Sequence, residues 1–497
     1  MPAQAAATEE TRATPQINPE KRVLIFIAAL ASVFITAIEA TIVATAMPTI
    51  VAELGDFDLL SWVFAAYLLT QAVTIPIYGR LSDLYGRKPI LLIGTALFLV
   101  GSLLCGFAWS MGSLVLFRIV QGFGAGALMP VGRTLIGDVY SGADRARMQG
   151  YVSSVFVAAA VLGPPVGAFL VATTSWAWVF WFNLPLGLLA GAILIWALHE
   201  NIERRRHRID WGGSLLLGIG TSALMFALAQ AASLSAPILG ALVVVAVLGF
   251  FLFVIWERRV PEPIWPMTLF DDRMLNSGNI VSLALGATMM GIAAYLPVYV
   301  QGVMGRSAFT AGMVLMSMSA VSPIGAVLAG RIMLRSSYRV AAGVGAIVYI
   351  AGSVMMNLLA PDSSPAWPMA AGLLLGLGIG LNNNTYMVAI QAGSGWGMRG
   401  IATSAFIFAR ILGQAAGAAA FGGIINTALS HYLRGGGDLV AQILTPEGRA
   451  ALSPAILAPL MQEFDHALHI VFVILTALAV ATLVVGFLLP KGRGIRN

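Results

Sequence analysis

The chain has 497 residues, 59% hydrophobic and 10% charged, with a mean hydropathy of +0.87. A soluble domain carries about 25% charged residues, so a water-facing surface is excluded and the chain reads as a polytopic membrane protein. The net charge of +6 would suit nucleic acid, but the basic residues sit in loops between apolar runs, and the single cysteine, Cys105, excludes an intramolecular disulfide.

Residues 1–21 are polar and Pro-containing, and are expected to form a disordered cytoplasmic tail. The first apolar run, residues 23–51, lacks a cleavage site and should stay as an anchor. Its one charged residue is Glu39. A carboxylate near the middle of a bilayer costs several kcal/mol and is a functional candidate by default. Runs of about 20 apolar residues, the length that spans a bilayer, centre near residues 36, 70, 98, 122, 160, 187, 221, 245, 288, 320, 349, 379, 414 and 479. Fourteen spans put 23 of the 28 lysines and arginines, Arg133 among them, in loops on the N-terminal side and three on the other; Arg118 and Arg410 lie inside spans. That asymmetry predicts two cytoplasmic termini and gives the loop "ERRRHRID" (203–210) a topogenic role.

Further polar groups follow in chain order. Tyr67 and Gln71 lie one turn apart on span two, and the loop "YGRLSDLYGRKPIL" (78–91) places Asp83 beside Arg87 and Lys88 with Gly79 and Gly86 to allow tight turns. Span four carries Arg118 and Gln121. On span five Gly150, Ala159, Gly163 and Gly167 are spaced to permit close helix contact, and Pro164 removes a backbone donor. Span twelve holds "NNN" (382–384) and span thirteen Arg410; Tyr67, Gln71, Gln121, Asn383 and Arg410 are candidates to line a substrate cavity. An external loop is expected over residues 430–466, with Thr445 and Ser453 as helix caps. Glu463, His466 and His469 have helical spacing but read as a polar helix face, and no metal site is expected.

The loop after span ten, "AGRIMLRSSYRVAA" (329–342), repeats the loop after span two when Gly330 and Arg331 are set on Gly79 and Arg80. Eight spans separate the copies, two more than two six-span halves require. The expected division is therefore a tail over 1–21, a six-helix bundle over 22–200, an inserted two-helix hairpin with its basic linker over 201–260, and a second, pseudo-symmetric six-helix bundle over 261–497, an all-α integral membrane fold.

These segments resemble the major facilitator superfamily, specifically its fourteen-helix drug:proton antiporters. "GRLSDLYGRKPI" (79–90) resembles the signature loop between spans two and three, and "RIVQGFGAGA" (118–127) the fourth-span motif. Gly150, Gly163, Pro164 and Gly167 keep the antiporter motif's spacing, with Ala159 in place of a glycine. "IEATIVATAMP" (38–48) resembles the first-span motif, with Glu39 where the family has aspartate and Ala44 where it has asparagine; "ARILGQAAGAAAFGG" (409–423) resembles the thirteenth span. The resemblance implies export of amphipathic, cationic or neutral drug-like compounds against a proton gradient, by a monomer in the cytoplasmic membrane that alternates between two openings.

In that setting Glu39 is the candidate proton carrier and Arg118 the charge that biases it, roughly 16 and 13 Å below the outer surface at 1.5 Å per residue and so at matching depth in one cavity. A static ion pair joining spans one and four is the competing role. The loop around Asp83 is expected to act as a conformational latch. The proton gradient replaces any cofactor, since no nucleotide-binding motif is present. Nucleic acid is not an expected partner, and the sequence does not specify an outer-membrane or adaptor protein. A dedicated exporter of one metabolite would carry the same motifs. A membrane enzyme is disfavoured by the lack of a Ser/His/Asp or Cys/His grouping within the spans.

Overall fold

The computed structural model describes residues 19–140, 142–199, 210–230, 234–261, 263, 267, 271–393, 399–430 and 439–489; the side chains of some helical residues, Asp83 and Gly150 among them, lie outside that description. Fourteen long helices follow one another: α1 (Pro19–Leu54), α2 (Leu60–Tyr85), α3 (Arg87–Gly106), α4 (Met111–Val139), α5 (Gly142–Thr173), α6 (Asn183–Ala197), α7 (Trp211–Ala229), α8 (Ala236–Glu257), α9 (Arg273–Val298), α10 (Ala308–Arg335), α11 (Tyr338–Asn357), α12 (Ala366–Gly393), α13 (Arg399–Ala428) and α14 (Pro454–Gly486). Among the described residues there is no strand. The reason is the solvent: in hydrocarbon each backbone N–H and C=O must find its partner within the segment, which a helix provides. Among the described residues thirteen helices are long and apolar enough to cross a membrane, whereas the apolar stretch of α5 is the shorter Ala158–Thr173.

Local signals set the boundaries. Ser110 and Ser113 form a reciprocal capping box at the start of α4, and Ser307 and Ser337 accept backbone N–H bonds at the starts of α10 and α11. Gly86, at φ 96°, breaks α2 from α3. Pro297 ends the regular part of α9, and residues Tyr299–Val303 continue as a π-turn.

Helices α1–α6 form one bundle and α9–α14 the other, while α7 and α8 pack on each other, with α7 also against α2 and α13 beside the seam. The internal repeat extends into the packing. A Cβ at Gly124 would lie 2.2 Å from the Phe98 nitrogen, and one at Gly378 2.6 Å from that of Tyr349. Phe98 and Tyr349 are related by the same offset as Gly79 and Gly330. Glycine is thus what lets α3 meet α4, and α11 meet α12, at backbone distance.

The bundles meet through α2 with α13, α5 with α10 and α1 with α9. Among the described residues, several contacts cross this seam at the Asp58 end. Asn426 donates to the Asp58 carbonyl at 2.7 Å, Phe57 meets Phe464 edge-on at 5.7 Å, and the Ser61 side chain fills the space above Gly422. The opposite end carries Arg22, Arg87, Lys88 and Arg339.

Two sequence expectations need correction here. The external loop does not reach residue 466, because α14 begins at Pro454; before it lie two short helices, Leu439–Gln442 and Pro446–Ala451. Thr445 caps the second, accepting the Gly448 N–H at 3.2 Å, but Ser453 makes no side-chain cap bond to α14. Arg133 stands within α4, not in a loop. Residues 1–18 and 201–209, which hold most of the tail and the basic linker, lie outside the described residues.

Candidate functional site

Glu39 is 0% exposed and Arg118 1%, and the two are directly paired. Glu39 Oε1 accepts from Arg118 Nη1 at 2.5 Å, and Oε2 accepts from Asn183 Nδ2 at 2.5 Å. Arg118 Nη1 also donates to Gln121 Oε1 at 2.6 Å, its Nε donates to the Val63 carbonyl at 3.1 Å, and its guanidinium lies 4.0 Å from the centre of the Tyr67 ring. Gln121 Nε2 in turn donates to Ser102 Oγ at 2.8 Å. Helices α1, α2, α3, α4 and α6 each contribute, and all belong to the first bundle.

Glycines make this convergence possible. A Cβ at Gly101 would fall 2.5 Å from the Gln121 backbone, and one at Gly122 2.6 Å from the Tyr67 carbonyl. So α4 sits against α3 and α2 at the level of the charges. The expectation that the pair lines a cavity is corrected by its burial: the site is sealed inside one bundle. Gln121 likewise stands behind Arg118 and faces α3, not open space. A buried ion pair roughly breaks even against its desolvation, so stability alone gives little reason to keep one. Two polar atoms here remain without a hydrogen bond, the Tyr67 hydroxyl and Asn183 Oδ1.

The small residues of α5 meet α1 close to Glu39. A Cβ at Gly163 would fall 2.0 Å from Thr41 Oγ1, and one at Gly167 2.7 Å from the Ile42 carbonyl. Pro164 lies on α10 of the other bundle, with its carbonyl 2.9 Å from where a Cβ at Gly312 would be. Helix α5 therefore touches the charged site's helix on one side and the opposite bundle on the other. Gly150, the first residue of the motif, is outside the described side chains.

The loop after α2 is held by cations. Arg87 Nε pairs with Asp138 Oδ2 at 3.0 Å and Nη1 donates to Ser82 Oγ at 2.6 Å. Lys88 Nζ donates to the Ile195 and Leu198 carbonyls at 2.8 and 2.6 Å, closing the C-terminus of α6. Gly79 has nothing within 4 Å of a built Cβ. Asp83, the acid assigned to the latch, lies outside the described side chains; among those described, Asp138 is an acid paired with Arg87. Asp138 is 54% exposed, so Asp138→Asn is expected to cost no more than about 1 kcal/mol in melting of the purified protein. A latch role would instead appear as a changed transport rate with that small stability loss.

In the second bundle Arg410 Nη1 lies 3.5 Å from Asn383 Oδ1, a long contact. Asn382 and Asn384 donate to the Gly378 and Ala326 carbonyls and serve helix packing. Gln71 is buried on α2. His469 has both ring nitrogens against carbonyl oxygens, of Asp465 at 2.9 Å and Leu359 at 3.0 Å. Sequence reasoning missed Asn183, Ser102 and Asp138. Of these only Asn183 left a signal, as the amide heading the apolar run of "FWFNLPLG" (180–187).

Comparison with known proteins agrees with this architecture. Residues 29–418 match the family model described as Major Facilitator Superfamily. Multidrug resistance protein 3 of Bacillus subtilis (strain 168) is 36% identical over 408 residues, covering 81% of this chain and 80% of that protein. Multidrug transporter protein MdtP of the same organism is 32% identical over 417 residues, covering 83% and 77%. In fold, the chain resembles a bacterial homolog to the human lysosomal transporter Spinster in an inward-facing, unoccupied conformation, with a TM-score of 0.66 at 16% identity and coverage of 95% and 97%. With the family model spanning most of the chain and all-helical packing in two related bundles, this protein belongs to the major facilitator superfamily.

Proposed function

We propose that the protein is a proton-coupled multidrug exporter of the cytoplasmic membrane, working as a monomer with both termini in the cytoplasm. The observation that carries the reading is Glu39, a fully buried carboxylate in a membrane-spanning helix, held by one guanidinium and one amide. Export of drug-like compounds is supported by the names of the two Bacillus relatives. Direction is supported by the basic loops, which assign the Arg87 end to the cytoplasm.

With the bundles meeting at the Asp58 end, the conformation corresponds to one closed to the outside. A proton arriving at Glu39 removes its negative charge and frees Arg118 to lean on Gln121 and the Val63 carbonyl. The carboxylic O–H then needs an acceptor. Asn183 supplies one by turning its amide, since Oδ1 has no other partner. The same side chain so serves both protonation states. The rearrangement passes to α5 through Thr41 and Gly163, and from α5 to α10 through Pro164 and Gly312. One charge crossing 100 mV supplies about 2.3 kcal/mol for the cycle.

The test uses inverted membrane vesicles with an imposed pH gradient and a proton-sensing dye. Adding ethidium is expected to release protons from the lumen as the ethidium enters, and nigericin should stop both. Ethidium uptake with no accompanying proton flux would refute the coupling. Proton flux elicited by none of a panel of cationic and neutral drugs would refute the broad substrate range.

A further inference from the structure

A cavity of about 390 Å³ opens at the Asp58 end of the second bundle and is lined by Gln301, Gly305, Arg306, Leu444, Arg449 and Leu457 together with Ala450. Its charged lining is two arginines, Arg306 and Arg449, with the Gln301 amide beside them. Arg449, from the short helix Pro446–Ala451, reaches into the π-turn, where its Nη2 donates to the carbonyls of Gln301 at 2.8 Å, Gly302 at 2.5 Å and Ile443 at 2.9 Å. Gly305, at φ 64°, gives the guanidinium room, because a Cβ there would fall 2.4 Å from Arg449 Nη1. Among the described residues these bonds hold the guanidinium against carbonyl dipoles, and no carboxylate pairs with it.

Two buried donors at the cavity are unspent. Arg449 Nε has no hydrogen-bond partner, nor does Nε2 of Gln301, a side chain only 7% exposed. Arg306, exposed at the rim, adds a second guanidinium. Burial holds the Arg449 pKa below its ordinary value, because removal from water disfavours the charged form. Leucines 444 and 457 provide an apolar wall beside this cationic end.

We propose that the cavity binds an oxyanion of the phosphate type carrying an apolar tail, with the anionic group between Arg449, Arg306 and Gln301 and the tail on Leu444 and Leu457. Guanidinium groups present forked N–H donors that match such an anion, and an amide N–H completes the set. The volume exceeds that of a bare phosphate. A lipid headgroup of the adjacent leaflet and a free phosphorylated amphiphile offer the same chemistry.

Melting of the full-length, delipidated protein in neutral detergent tests this. Probes are dihexanoyl-phosphatidylglycerol, dihexanoyl-phosphatidylcholine and inorganic phosphate. Phosphatidylglycerol is expected to raise Tm, and phosphatidylcholine, whose choline cation would meet Arg306 and Arg449, to raise it less; an equal rise with both would overturn recognition of the anion. Arg306→Gln, which removes an exposed side chain and should fold normally, is expected to weaken the apparent affinity roughly tenfold, as loss of one charge-assisted contact should. Gln301→Leu should act in the same direction. An equal rise with inorganic phosphate at similar concentration would show that the tail contributes nothing and would overturn the proposed ligand. No rise with either anion, or the same phosphatidylglycerol affinity in wild type and both variants, would overturn it.

Discussion

Exchanging Glu39 for glutamine is expected to reduce gradient-driven ethidium export to the background of cells lacking the protein, with the folded chain still present in the membrane. Glutamine matches the size of glutamate, still offers an oxygen to Arg118, and meets Asn183 through the amide rotation described above. What it lacks is a site for a transferable proton. Arg118 keeps the Val63 carbonyl, Gln121 and the Tyr67 face but loses its counter-charge, and removing one partner of a buried pair costs about 3–5 kcal/mol. Tm should fall accordingly. The double substitution Glu39→Gln with Arg118→Met removes both charges and should recover much of that loss, since replacing a buried pair by neutral groups of similar volume is often near neutral. A double variant that regains stability but not export separates the relay from the static pair. If it exports at the wild-type rate, Glu39 is structural and the coupling site is elsewhere.

The second large effect concerns stability. Gly124→Val is expected to leave little folded protein, whereas Gly343→Ala should be neutral or slightly stabilising. At Gly124 a Cβ would sit 2.2 Å from the Phe98 nitrogen and 2.6 Å from the Gly94 carbonyl, both backbone atoms of α3 that have no rotamer to yield. Helix α3 must then back away, carrying Gly101 and Ser102 off Gln121 and loosening the shell around Arg118. Overpacking a tight contact costs about 1–3 kcal/mol even where side chains can move, and the backbone contact here should exceed that. Gly343 has nothing within 4 Å of a built Cβ, and alanine is favoured over glycine in a helix by up to about 1 kcal/mol. Melting and limited trypsinolysis of both variants in detergent decide the matter. Equal Tm values would show that α3 and α4 can separate without loss.

The Glu39–Arg118 pair was legible because depth in a bilayer can be counted along the chain from each end of a span. Its sealing was not, since burial depends on where α2, α3 and α6 stand around it. Asn183 lies 144 residues from Glu39. No periodicity links two such positions, and an amide at the head of an apolar run has several ordinary uses. Asp138 was hidden for a related reason. It belongs to the far end of α4, and only the return of α3 past that end brings Arg87 to it.

By itself the sequence determined the membrane class, the fourteen helices, the inserted pair between two related halves, and the intramembrane charges. Each follows from a force that acts residue by residue: hydrocarbon demands apolar side chains and internally bonded backbone, and basic residues mark loops. The tertiary structure alone decided which bundle encloses Glu39, which amide shares its carboxylate, and where α14 begins. Those outcomes turn on the rotation of each helix about its own axis. Glycines at positions 101, 122 and 124 set that rotation by letting α4 lie against α2 and α3, and a contact between two backbones becomes visible only when both helices are in place.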